Sequence, residues 1–174
     1  RMGGTVVITE GFEPETYLKL LSQYQVTHTQ LVPTMFSRML KLPQEVRDTA
    51  DLSSLEIAVH AAAPCPTQVK EAMIDWWGPI IHEYYGATEG LGFTACNSEE
   101  WLSHKGSVGK VMLGDLHILD DNGHPAKPGE PGEIWFKTAT EFSYFNNKEK
   151  TRDALSEDGT MSTVGDVGYL QDGY

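Results

Sequence analysis

The sequence predicts an α/β protein, with a parallel sheet and crossover helices in its first part followed by a small β-roll or distorted barrel. Three observations carry this. Between residues 27 and 85, short aliphatic or β-branched runs alternate with apolar patterns of helical spacing. After about Glu100 only short β-like runs recur, and Asp121-Asn122-Gly123 lies between two of them. Strands separated by helices argue for parallel pairing, whereas Asn-Gly is a hairpin signal.

Along the chain, Gly3 to Ile8 predicts a short strand. Pro14 sets up a helix carrying Tyr17, Leu18, Leu21 and Tyr24 on one face. Thr27 to Val32 is the next strand, ended by Pro33, and Phe36, Met39 and Leu40 recur at helical spacing. Lys41 to Ser54 reads as a polar connection. The pattern then repeats as strand Leu55–His60, helix Thr67–Trp77 and strand Ile80–Tyr85. The later runs are Gly106–Met112, Leu116–Asp120 and Gly132–Lys137, with a short helix over Glu149–Leu155 and a hairpin beginning at Gly168. The expected division is residues 1–103 for the sheet and 104–174 for the β part.

With 174 residues and 40% hydrophobic content, the chain can form one substantial core, or one medium and one small domain. Its 13 Lys and Arg against 25 Asp and Glu give a net charge of −12, which repels nucleic acid and anionic membranes. A polyanionic ligand therefore needs a divalent cation or a positive residue nearby. There is no run of 18 apolar residues to span a bilayer, and the first residues lack a signal-peptide pattern, so a cytoplasmic protein is expected. Cys65 and Cys96 lack metal-ligand spacing and read as structural. The histidines are scattered, and no Gly-x-Ser-x-Gly elbow occurs.

The chemistry-bearing residues lie in loops after the carboxyl ends of predicted strands, where open α/β sheets bind ligands. Tyr85 can stack a purine, a contact worth about 1–3 kcal/mol per base in nucleic acids, or complete a core. Glu83 accepts from an adenine amino group or is simply solvated. Gly86 lets backbone approach a phosphate or is an ordinary turn glycine. Thr88 can donate to a phosphate and Glu89 can hold Mg²⁺, or the two form a helix cap with a first-turn charge. In Ala61-Ala62-Ala63-Pro64 the side chains are small enough for main-chain groups to reach the second adenine face, or they form a turn that only permits close packing. Asp166, in a predicted turn, can take both ribose hydroxyls or act only as a turn former.

The ordered trio Ala61-Ala62-Ala63-Pro64, Tyr85-Gly86-Ala87-Thr88-Glu89 and Gly165-Asp166 resembles the adenylate-forming superfamily of acyl-CoA synthetases, luciferases and peptide-synthetase adenylation domains. There the stretches read Gly-Gly-Ala-Pro, Tyr-Gly-x-Thr-Glu and Thr-Gly-Asp. Val32-Pro33-Thr34, Gly106–Lys110, Gly129–Ile134, Phe145-Asn146-Asn147 with Thr151, and Gly159–Tyr174 extend the resemblance over nearly the whole chain. His60 and Ala61 depart from a frequent Ser-Gly, and Val164 from a frequent threonine.

The resemblance implies an acyl-CoA synthetase that uses ATP, Mg²⁺ and coenzyme A. A carboxylate, a fatty or aromatic acid, is adenylated and then passed to the thiol. Thr88 and Glu89 would be catalytic, Glu89 the metal ligand, and Glu83, Tyr84, Tyr85, Gly86, Ala62, Ala63, Pro64 and Asp166 would hold the nucleotide. Gln30, His60, Ala61, Gly86 and Gly90 would line the acyl groove. The sequence contains no phosphate loop ending in Pro-Lys-Gly, and it stops before the family's hinge and the C-terminal domain with its catalytic lysine. The expectation is a piece of a longer synthetase, inactive alone. An amino-acid adenylation domain and a non-catalytic nucleotide-binding module are the alternatives.

Overall fold

The computed structural model describes residues 3–137 and 142–174. It divides into two compact units interleaved along the chain. The first takes the described residues up to His82 together with Asn97–Gly106; the second takes Glu83–Cys96 and the described residues from Ser107 to Tyr174. The sequence placed a single boundary after residue 103.

In the first unit, α1 (Pro14–Gln23) begins where the Glu13 carboxylate accepts the Glu15 and Thr16 N–H groups at 3.2 and 2.7 Å, with Pro14 at the first helical position. It buries Leu18 and Leu21. The strand β1 (His28–Leu31) pairs in parallel with β2 (Ile57–His60), joined by α2 (Pro33–Leu40) and the short α3 (Gln44–Asp48). From β2 the chain runs through α4 (Thr67–Trp77) to β3 (Ile81–Gly86), giving the order β1-β2-β3. The helices α2 and α4 pack together with Phe36, Met39, Met73 and Trp77 buried, and the Phe36 and Trp77 rings stand edge-on at 6.2 Å. Each such apolar side chain, fully buried, contributes about 1.5–3 kcal/mol.

Besides α3 and a later strand over Ser162–Gly168, two adjoining elements escaped the sequence reading. They are β4 (Phe93–Cys96) and α5 (Ser98–Ser103), the latter opened by a reciprocal capping box between Asn97 and Glu100. Ser98, fully buried, donates to Ile81 O at 2.8 Å and accepts from Ile81 N–H at 3.0 Å, which fixes the start of β3. The polar connection from Lys41 contains α3. Gly3 to Ile8 forms no strand: Val6 and Ile8 are exposed, and no ladder partner is present among the described residues. A β-prone run needs a neighbouring strand to become one.

In the second unit β3, β4 and β5 (Lys110–Leu113) pair antiparallel in that order, so β5 starts later than the predicted Gly106. A second, open antiparallel sheet has the order β6 (Asp115–Leu119), β7 (Gly132–Lys137), β8 (Ser162–Gly168); it is three-stranded among the described residues and is not a closed barrel. Asp120 closes the Asp121-Asn122-Gly123 turn by accepting from Asn122 and His124 N–H. That turn returns the chain to a bridge between Leu119 and Pro125, not directly to β7. The helix α6 (Lys148–Asp153) starts at Asn147, whose side chain accepts the Lys150 N–H at 2.9 Å.

Candidate functional site

The strand β3 ends in the turn Ala87–Gly90, closed by Gly90 N–H donating to Ala87 O at 3.0 Å. No helix follows, so Thr88 and Glu89 cap nothing. Glu83 is buried on β3 opposite Cys96, Tyr84 is exposed, and Tyr85 is half-buried. A Cβ added at Gly86 would lie 3.0 Å from the Phe93 Cβ and 3.1 Å from Gly92 O, so close approach of β4 by itself favours glycine there.

Asp166 lies in β8, within a bulge and not in the turn expected from Gly165. Pairing runs Glu133 to Val167 and then Trp135 to Thr163, so residues 164–166 of β8 stand against Ile134 alone. Gly165 has φ +83°. Bulges bend a strand and re-aim side chains, and here the carboxylate meets the phenol of Tyr85: the Tyr85 hydroxyl donates to Asp166 Oδ2 at 2.8 Å. Burial, then the Asp166 carboxylate, pushes the Tyr85 phenol well above its ordinary range, so it remains a proton donor.

The second candidate carboxylate is also held. Tyr144 donates its hydroxyl proton to Glu89 Oε1 at 2.8 Å. Sequence reasoning passed over Tyr144; the only signal was its place before Phe145-Asn146-Asn147. Thus the second unit gathers Tyr85 with Asp166, and Glu89 with Tyr144.

In the first unit, Gln30 is exposed in β1, while His60 and Ala61 are buried. The His60 ring stands edge-on to Phe36 at 5.3 Å. Burial, reinforced by the Lys70 ammonium, lowers its pKa to about 3, so it is a neutral imidazole. Ala62, Ala63 and Pro64 are exposed, and Ala62 adopts φ +75°, a conformation L-residues rarely take. Ala62 stands where the resembling family carries glycine.

Among the described residues no three His, Cys, Asp or Glu side chains group as a metal cage. A single carboxylate such as Glu89 suits Mg²⁺ in nucleotide sites, where phosphates and waters supply most of the ligands. No described helix is long and apolar enough to cross a membrane.

Comparison with known proteins decides the family: residues 1–143 match the model of the AMP-binding enzymes. The chain belongs to the AMP-binding enzyme family. Within it, the chain is 32% identical over 180 residues to probable 4-coumarate–CoA ligase 1 of Dictyostelium discoideum, covering 100% of this chain and 32% of that protein. It is also 32% identical over 136 residues to medium/long-chain-fatty-acid–CoA ligase FadD8 of Mycobacterium tuberculosis, covering 76% of this chain and 23% of that one. Among solved structures, the amide bond synthetase McbA of Marinactinospora thermotolerans superposes with a TM-score of 0.83 at 30% identity, covering 98% of this chain and 35% of the other. The chain therefore spans about a third or less of the curated relatives it matches.

Proposed function

We propose that this chain supplies adenosine and cation contacts of an ATP-dependent acid–thiol ligase. The reading rests chiefly on the bond between Tyr85 and Asp166, which joins two motifs 81 positions apart. With its hydroxyl tethered, the Tyr85 ring is held in one orientation as a stacking surface for the purine. Asp166 gives Oδ2 to Tyr85 and keeps Oδ1 for a ribose hydroxyl. Glu83 accepts from the adenine amino group and Thr88 donates to the α-phosphate. Glu89 holds Mg²⁺, which when bound neutralises charge on the phosphates. The assignment of Tyr84, Gly86, Ala62, Ala63 and Pro64 to the nucleotide, and of Gln30, His60, Ala61, Gly86 and Gly90 to the acyl group, rests on the family resemblance.

In the reaction, a carboxylate oxygen attacks the α-phosphorus and pyrophosphate departs. The thiol sulfur of coenzyme A then attacks the acyl carbon, AMP leaves and the thiol proton is released. The relatives' names point to an aromatic or fatty acid as the carboxylate. The 30% identity to an amide bond synthetase supports a second reading, in which an amine replaces the thiol. The 174-residue polypeptide is inactive by itself, because its sequence lacks the Pro-Lys-Gly phosphate loop.

Calorimetry with AMP tests the site: Tyr85→Ala and Asp166→Asn should each weaken binding about tenfold or more, in line with about 1.5–3 kcal/mol for a charged hydrogen bond. Unchanged affinity in both, and in Glu83→Gln, moves the nucleotide to another surface. Pyrophosphate exchange with fatty, aromatic and amino acids should be absent for this polypeptide, and robust turnover would show that it is catalytically sufficient.

A further inference from the structure

A turn fixes its backbone but leaves a long side chain such as that of Glu89 with many rotamers. The restraint here comes from a segment 55 positions later, through Tyr144 and Oε1 of Glu89. Tyr144 is itself fixed at three points. Its N–H donates to Thr151 Oγ1 at 2.9 Å, and the Thr151 hydroxyl donates to Asn147 O at 2.8 Å, which ties it to the first turn of α6. The Phe142 ring meets the Tyr144 ring edge-on at 5.4 Å. The Lys150 ammonium lies 3.9 Å from the ring centroid, a cation–π contact that helps hold the ring.

We propose that Tyr144 is a positioning residue for the cation site: by holding Glu89 through Oε1 it presents Oε2 to a divalent ion on the nucleotide. The inference rests on the assignment of Glu89 to that ion. A ligand carboxylate whose second oxygen is hydrogen-bonded has lost its rotamer freedom before the ion arrives, and removal of such outer partners commonly costs about 10–100-fold in metal affinity. Tyr144 and Glu89 are only partly buried, which places the expectation at the lower end.

The test titrates manganous ion, a paramagnetic stand-in for magnesium, into the 174-residue chain with ATP present and reads free ion by electron paramagnetic resonance. Tyr144→Phe keeps the ring and its contacts with Phe142 and Lys150 and deletes only the donor. It should weaken the ion about tenfold while leaving AMP affinity without metal unchanged. Thr151→Val, which removes the acceptor of the Tyr144 N–H, should weaken the ion in the same direction and serves if Tyr144→Phe fails to fold. Glu89→Gln should abolish the protein-dependent binding. If Glu89→Gln does so and neither Tyr144→Phe nor Thr151→Val has an effect, the positioning role is wrong and the cation site stands. If Glu89→Gln binds the ion as tightly as the unsubstituted chain, or that chain adds nothing to ATP alone, the assignment of Glu89 fails as well.

Discussion

The hydroxyl oxygen of Thr163 accepts the N–H of Gly165 at 3.0 Å, closing the bulge that carries Asp166. Thr163 is buried, and its own proton lies within reach of Ile134 O at 2.8 Å and Glu133 Oε1 at 3.1 Å. Trp135 Nε1 donates to the other oxygen of Glu133 at 3.1 Å. The aim of Asp166 towards Tyr85 therefore depends on a hydroxyl three residues earlier.

Thr163→Val keeps the shape of that side chain and removes both its bonds. It should lower stability by about 1–3 kcal/mol, because a buried hydroxyl loses two hydrogen bonds, to Gly165 and to Ile134, each contributing about 0.5–1.5 kcal/mol. It should also weaken AMP beyond that loss, since the bulge no longer aims the carboxylate. Urea denaturation and calorimetry measure the two effects, and Thr163→Ser should restore most of both.

Ala62 and Gly165 make an opposed pair, an alanine at φ +75° and a glycine at φ +83°. The left-handed region costs an L-residue about 1–2 kcal/mol, partly offset by the extra unfolded-state freedom of glycine, about 0.4–1 kcal/mol. Ala62→Gly should therefore stabilise the chain by about 0.5–1 kcal/mol. Gly165→Ala has open space for its methyl group, so it should destabilise through the backbone alone, by about 1 kcal/mol. Opposite shifts of the urea midpoints check the pair; a shift of the same sign in both would refute the argument.

His60 gives the first unit a defined pH response. Its folded pKa of about 3 lies below the unfolded value of 6.5, set first by burial and then by Lys70. The unfolded chain therefore binds the extra proton in that window. The stability this group contributes is complete above pH 6.5 and is lost as pH falls towards 3, with a slope approaching about 1.4 kcal/mol per pH unit. His60→Leu should flatten this part of the pH–stability curve. Lys70→Met removes the secondary cause, and the His60 pKa, followed by NMR, should rise only part of the way to 6.5.

Periodicity and local chemistry in the sequence determined α1, α2, α4 and the first three strands. Pro14, Pro33 and the apolar spacing of Thr67–Trp77 act within a few residues of themselves. The same locality made Tyr85, Glu89 and Asp166 recognisable as motif residues. A local signal for α5 was present too, in the Asn97 and Glu100 capping box, although the reading missed it. Tertiary structure alone decided that Gly3–Ile8 stays unpaired, that Glu83–Cys96 joins the later strands, and that Gly165 opens a bulge. It also decided that Tyr144 reaches Glu89 and Tyr85 reaches Asp166. Strand partners and contacts across 55 or 81 positions leave no periodic trace along a chain, because their energy exists only after distant segments have met.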